Sequence, residues 1–193
     1  MISFIQANLN IIIFIFLLLL TIDSFILLNK YRKYIESLPN LIISYDIFKS
    51  YFINAPNYYE NNLIIVYLTL KNLSTTSLDI VEIKLIDESN SYSAIIPEVR
   101  DKCYKNEILL INDDEADPKT ININILSENI LMNKNISSHN DQKGYAAFEN
   151  LQQIVSPKNY KLVIEVSGKT KKAFEKDITI NPIDTEFHAI NEK

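Results

Sequence analysis

The sequence predicts an all-β fold, an antiparallel β-sandwich of seven to nine strands that follows a single N-terminal transmembrane α-helix. Near the N terminus lies an apolar stretch of about 20 residues, the length that a helix needs to cross a bilayer core. From residue 41 onward, short runs alternate apolar and polar residues with a period of two, and helical periodicity is absent between them. Strands of this kind must bury their faces against each other, which predicts a sandwich or a barrel.

The apolar stretch covers residues 9–28 within an N-terminal segment of residues 1–29. A signal peptide is the alternative, but it carries Lys or Arg before the apolar run and small residues at a cleavage site. Residues 1–10 contain neither Lys nor Arg, and no A-x-A pattern follows, so we expect a retained anchor. Asp23 is either an intramembrane functional group or, as we favour, a group that reaches the headgroups when the span begins a turn earlier.

Three basic residues, Lys30, Arg32 and Lys33, follow the span directly. Positive flanks stay on the cytoplasmic side of a membrane, so these residues predict a single-pass protein of the cell membrane with a cytoplasmic C-terminal domain. The lipid bilayer is then one partner. Residues 30–40 are expected to be a juxtamembrane helical linker that ends before Pro39.

The β-sandwich domain is expected to cover residues 41–181, before a polar C-terminal tail of residues 182–193. "NLIIVYLTLKN" (62–72) has a wholly apolar face at its even positions, and "LDIVEIKLID" (78–87) points Val81, Ile83 and Leu85 to one face. We expect these two runs to be neighbouring strands joined by five to seven residues.

Two other runs give testable side-chain directions. Ile123 in "TININIL" and Val166 in "YKLVIEV" should be buried, and Asn122 and Glu165 should be exposed. Gly168 in "SGKT" fits a tight hairpin between the last two strands. Residues 127–135, "SENILMNKN", are either a strand or one helical turn.

Three short motifs carry a resemblance to a known group of proteins. They are Asn72–Leu73–Ser74 at the end of one strand, the alternating strand from Ile80 to Leu85, and Gly144–Tyr145 with Phe148. Here the sequence resembles uncharacterised small membrane proteins of AT-rich bacterial and phage genomes, which have one N-terminal transmembrane helix and an immunoglobulin-like β-sandwich. The resemblance covers residues 41–180 and implies an immunoglobulin-like sandwich, but no activity.

The composition disfavours several classes of function. The net charge is −5 and the charges are mixed along the chain, whereas a nucleic-acid surface needs clustered Lys and Arg. Cys103 is the single cysteine, so an intrachain disulfide is excluded, and neither His139 nor His188 has a neighbour at zinc-binding spacing. The sequence lacks G-x-S-x-G, H-E-x-x-H and phosphate-loop motifs, so we expect neither an enzyme nor a cofactor.

The acidic run "DDEADP" is the best candidate for metal binding. Asp113, Glu115 and Asp117 offer the hard oxygen ligands that calcium prefers, but the glycine and the final glutamate of an EF-hand loop are missing. A solvated acidic turn is therefore the favoured interpretation. Asn72 and Asn135 each begin an N-glycosylation sequon, and both are interpreted as residues of turns.

The remaining hypothesis is a membrane-anchored, non-catalytic interaction module that binds an unknown protein partner at the cytoplasmic face. The alternative is an extracytoplasmic structural or adhesive surface protein whose sandwich faces outward. An enzyme ranks third.

Overall fold

The structure, a computed structural model, describes residues 2–53, 62–88, 90–97, 107–112, 120–124, 127–152, 154–182 and 187–189. The side chains of residues 2–7, 10, 53, 107–112, 120–123 and 187–189 lie outside this description. The chain forms two compact units, Met1–Leu38 and Pro39–Lys193.

The first unit is one long helix, α1 (Ile2–Glu36). Its described apolar side chains are exposed, and its most apolar 18-residue window has a mean hydropathy of 3.0. By length and composition α1 is able to cross a membrane, a property that it shares with signal sequences. The amide of Ser37 closes the last turn by donating to the carbonyls of Lys33 and Tyr34.

The second unit is built from strands, with a short 3-10 turn at Ile130–Met132 in the ambiguous "SENILMNKN" segment. Its strands are β1 (Leu41–Ile53), β2 (Leu63–Asn72), β3 (Leu78–Ile86), β4 (Ser91–Ser93), β5 (Glu107–Asn112), β6 (Thr120–Asn124), β7 (Asn135–Ile136), β8 (Asp141–Glu149), β9 (Lys158–Ser167), β10 (Lys171–Pro182) and β11 (Phe187–Ala189). The mainly β class that the sequence predicts is confirmed, with more strands than the seven to nine expected, because several are only two or three residues long.

One eight-stranded sheet has the order β4-β3-β9-β10-β1-β2-β8, with β7 paired to β3. The prediction that β2 and β3 are neighbours is wrong: β2 pairs with β1 and β8, whereas β3 pairs with β4, β7 and β9. The pairing is also not wholly antiparallel, since β1 and β10 are parallel at Tyr51–Asn181 and Phe52–Pro182.

The sheet is curled around a single apolar core. The predicted inward faces of β2 and β9 are confirmed, with Val166 0 % exposed, and both enter the same core as residues of β1, β3, β8 and β10. Glu165, predicted to be exposed, is half-buried. The amide of Ile95, just after β4, donates to the carbonyl of Ala147 in β8, so the curl brings the two edges of the sheet together.

The register of β3 differs from the prediction at one residue. A bulge between Ile80 and Glu82 shifts the pairing with β9, so Ile80 lies in the core and Val81 is 41 % exposed. Ile83 and Leu85 return to the core beyond the bulge. An extra residue in a strand changes whether the even-numbered or the odd-numbered residues face the core. The alternation of apolar and polar residues in the sequence does not reveal where this change occurs.

The two glycines are required by close packing rather than by a left-handed backbone, since neither has a positive φ. A Cβ at Gly144 would lie 2.5 Å from the carbonyl oxygen of Glu128, which accepts from the amide of Tyr145. Gly168 does lie in the predicted hairpin between β9 and β10, and a Cβ there would lie 2.8 Å from Leu78 Cδ2.

A second, three-stranded sheet has the order β11-β5-β6. Ile123 and Asn122 lie in β6, but the directions of their side chains are outside the described part of the chain, so that prediction stays untested. The segment predicted to be a polar tail contains β11, which pairs with β5 from Phe187 to Ala189.

Candidate interaction surface at the bulge of the first strand

The three basic residues that predict topology lie in the last turns of α1 and are exposed. Arg32 Nε lies 2.8 Å from Glu36 Oε1, an exposed i,i+4 ion pair. Because acidic residues weigh little in membrane topology, this pair does not change the charge bias. Asp23 is also exposed on α1.

The candidate metal ligands Asp113, Glu115 and Asp117 lie outside the described residues, as does Cys103. Within the described ranges, no group of three or more His, Cys, Asp or Glu side chains is arranged to hold a metal ion. His139 is exposed in a turn with φ of 56°.

The most distinctive surface feature is a bulge in β1. Asp46 pairs with Tyr67 and Tyr51 pairs with Ile65, so residues 47–50 of β1 lie opposite the single residue Val66 of β2. Before the bulge, the residues of β1 that face the core have odd numbers, such as Leu41 and Ile43. After the bulge, the core-facing residue Phe52 has an even number. Bulges of this kind turn side chains away from the regular pleat.

Four hydrogen bonds hold the bulge in one conformation. The amide of Phe48 donates to Asp46 Oδ1 at 3.0 Å, and the Tyr51 hydroxyl donates to the Phe48 carbonyl. The hydroxyl of Ser50, which is 0 % exposed, donates to the Asp46 carbonyl at 2.6 Å and accepts from the Tyr67 amide at 3.1 Å. Ser50 therefore takes over a ladder bond that the bulged backbone cannot make.

The bulge presents Phe48, whose side chain is 83 % exposed. Lys49 follows it, with Nζ 4.8 Å from the centre of the Tyr67 ring, close enough for a cation–π interaction. An exposed aromatic side chain on a hydrogen-bonded strand is a rigid apolar knob. Aromatic anchors that lose little conformational entropy on binding are typical of the energetic centres of protein interfaces.

Three tyrosines, Tyr51, Tyr67 and Tyr145, form a cluster beside the bulge. The rings of Tyr67 and Tyr145 meet edge to face, with centroids 4.9 Å apart. Burial raises the pKa of Tyr145 to about 12, and the charge of Glu128 adds to it. Burial and the charge of Asp46 likewise raise the pKa of Tyr51, so the hydroxyls of Tyr51 and Tyr145 are both neutral at physiological pH.

A second surface feature is an open groove of about 710 Å³ at the end of β3, β9 and β10. Its lining includes Asp87, Lys161 and Glu175, and its charges are largely paired: Lys158 Nζ lies 3.2 Å from Asp87 Oδ2, and Lys161 Nζ lies 3.2 Å from Glu175 Oε2. Groups already paired are poor candidates for a dedicated ligand site, so the bulge is the stronger candidate.

The sequence predicts the strand-rich domain from residue 41 onward but does not single out Phe48. The core-facing positions change from odd at Leu41 and Ile43 to even at Phe52, and this change is visible only in the paired structure. Of the two sequons, Asn72 is fully buried and its amide is used in hydrogen bonds, whereas Asn135 is exposed and donates to Asp79 Oδ1 at 2.7 Å.

Comparison with known proteins gives no relative: no protein-family model matches the chain, and no curated protein matches it.

Proposed function

We propose that this protein is a single-pass, membrane-anchored, non-catalytic interaction module that binds a protein partner through the β1 bulge. The observation that supports the proposal is Phe48, a highly exposed aromatic side chain on a bulge whose backbone is held by hydrogen bonds that involve Asp46, Ser50 and Tyr51. A partner pocket that received this side chain would gain buried apolar area.

The strand order supports an immunoglobulin-like sandwich as the finer description of the fold. One half of the order, β1-β2-β8, corresponds to strands A, B and E of that fold, and the other half, β3-β9-β10, corresponds to C, F and G. The β4 strand beside β3 corresponds to the additional C′ strand of variable-type domains. Folds of this kind serve many binding functions, so the surface must identify the function.

The membrane placement is supported by α1 and by Lys30, Arg32 and Lys33 at its end. These charges favour a domain on the cytoplasmic side. An outward-facing structural or adhesive domain is the competing arrangement. A cysteine introduced into the "DDEADP" segment distinguishes them, in a Cys103→Ser background: a membrane-impermeant maleimide should label it only after the cells are opened. Labelling in intact cells would establish the outward orientation.

Binding at the bulge is tested by a photo-crosslinking amino acid at position 48 of the full chain in cells. Val155 is the matched control, because it is a hydrophobic residue with nearly the same exposure, 85 % against 83 %. We expect a discrete adduct from position 48 that is absent from position 155. Ser50→Ala should weaken the adduct, since it removes the hydroxyl that holds the bulge. Identical adduct patterns from both positions would refute the proposal.

A further inference from the structure

Among the described residues, the side of β10 that faces away from β9 has few strand partners. β10 pairs with β9 over ten residues, from Lys171 to Ile180, without a register shift. On its other side, the described residues pair it with β1 only at Asn181 and Pro182. From the hairpin to Asp177 the strand contains no proline, and its side chains are exposed except for the half-buried Phe174.

The direction of the unused backbone groups follows from one hydrogen bond. The amide of Thr179 points away from β9, because it donates to the hydroxyl of Tyr45 at 3.2 Å. The backbone N–H and C=O groups of successive residues point to opposite sides of a strand. The groups of Ala173, Glu175 and Asp177 therefore point to the same side as those of Thr179, away from β9. An extended strand can add to such an edge through main-chain hydrogen bonds.

The charges along this edge are antisymmetric about one residue. Alternate positions of β10 read Lys171, Ala173, Glu175 and Asp177, and Lys169 lies in the hairpin turn just before the strand. In an antiparallel pair of identical strands centred on Ala173, position 171 lies opposite position 175, and the turn that carries position 169 lies beside position 177. Lys171 and Glu175 therefore meet side chains of opposite sign, Lys169 brings a positive charge to the end where the other copy has Asp177, and alanine meets alanine at the two-fold axis.

We propose that β10 is a self-association edge, at which a second copy of this chain adds antiparallel and centred on Ala173. Opposite charges across a strand pair stabilise it and like charges destabilise it, so the pattern selects this register. The ion pairs that Lys171 and Glu175 make within the monomer, with Glu165 and Lys161, are exposed and easily exchanged. Two copies joined in this way form a closed two-fold dimer, because the same edge of each copy is used in the pairing.

The test uses the full chain in detergent with Cys103 replaced by Ser. Ala173→Cys places two thiols across the two-fold axis, in a pair whose Cα atoms lie about 5.5 Å apart, within the range that a disulfide requires. We expect mild oxidation to give a covalent dimer. The control is Lys134→Cys, an exposed position away from β10, which corrects for random encounters within micelles. Equal rates of crosslinking at the two positions would overturn the proposal.

Charge reversal in the Ala173→Cys chain tests the register itself. One variant carries Lys169→Glu and Lys171→Glu, and the other carries Glu175→Lys and Asp177→Lys. Each alone should lose the covalent dimer, because like charges then face each other, and a mixture of the two should crosslink as a heterodimer. Dimers from either variant alone, or no heterodimer from the mixture, would show that the edges do not meet in this register. A cooperative thermal unfolding transition, at a melting temperature close to that of the Ala173→Cys chain, confirms that the fold of each variant is intact.

Discussion

Replacing Asn72 by alanine should destabilise the domain strongly, although the residue lies in a sequence that looks like an ordinary turn. Its side chain is 0 % exposed. Nδ2 donates to the carbonyls of Thr76, Ile136 and Ser137 at 2.8, 3.1 and 3.2 Å, and Oδ1 accepts from the amide and hydroxyl of Ser74 at 2.9 and 2.5 Å. The two N–H groups of Nδ2 are thus shared among three carbonyls, and Oδ1 accepts from two groups of Ser74, all at the crossing from β2 to β3.

The magnitude follows from the groups left without a partner. The Thr76 carbonyl keeps the Ser74 hydroxyl and the Ser137 carbonyl keeps the Asn140 amide, so the variant takes a partner chiefly from the Ile136 carbonyl and the Ser74 amide. A buried polar group that loses its hydrogen bond costs about 1–3 kcal/mol, so these two groups imply a loss of roughly 2–4 kcal/mol after partial relaxation. For a domain of this size, each kcal/mol lowers the melting temperature by about 2–4 °C, so Asn72→Ala should melt roughly 4–16 °C lower.

The assay is thermal unfolding of the full chain, followed by the near-ultraviolet circular dichroism of its tyrosines, which reports on the β domain. Asn135→Ala is the control, because it removes one exposed bond to Asp79 and should lower stability by about 0.5 kcal/mol at most. If the two variants melt alike, the hydrogen-bond network around Asn72 does not stabilise the fold as argued.

Three further perturbations test the packing, the tyrosine cluster and the independence of the domain. Gly144→Ala should cost about 1–3 kcal/mol in chemical denaturation because its Cβ meets a backbone oxygen, whereas Gly168→Ala should cost less because its nearest neighbour is the tip of a leucine side chain; equal costs would contradict this. Burial raises the pKa of Tyr145 to about 12, above the ordinary value near 10, so the contribution of this residue to folding stability should be complete below pH 10 and be lost between pH 10 and 12. In thermal unfolding measured at several pH values between about 10 and 12, Tyr145→Phe should lose less stability with rising pH than the unaltered chain. An equal dependence of stability on pH in the two chains would be inconsistent with a raised pKa. A chain of residues 40–193 should remain folded and β-rich by far-ultraviolet circular dichroism, since the core contains no residue of α1; a disordered spectrum would refute the expected independence.

The parts of the fold that the sequence predicts well are those with a single, unbroken alternation. The even face of β2 and the inward face of β9 are buried as expected, because every second residue is apolar over the whole strand. The error in side-chain direction, at Val81, occurs where an extra residue shifts the alternation within a strand. The β1 bulge is a second such place, for which no side-chain directions were predicted from the sequence. A bulge is stabilised by contacts with the neighbouring strand, here the Ser50 hydroxyl and the Tyr67 amide, so the local pattern does not contain its position.

The candidate site was missed for a related reason. Phe48 belongs to an apolar and aromatic run, and in such a run the simplest interpretation of any phenylalanine is a core residue. Its exposure is decided by the extra residues of the bulge and not by its own type. Propensity places the strand, but only the paired structure shows which side chain the strand presents.

The crossing from β2 to β3 shows how a short connection can avoid the hairpin that its length favours. The β3 strand begins by pairing Leu78 with Ile136 of β7, and the chain then continues from β7 into β8, which pairs with β2. Asn72 lies at this junction, where its amide side chain binds the carbonyls of Ile136 and Ser137, and its backbone amide donates to Asn140. A hairpin between β2 and β3 would remove these partners from the buried Asn72 side chain. Because an unpaired buried polar group costs about 1–3 kcal/mol, the hydrogen bonds of Asn72 favour the crossover over a hairpin at this junction.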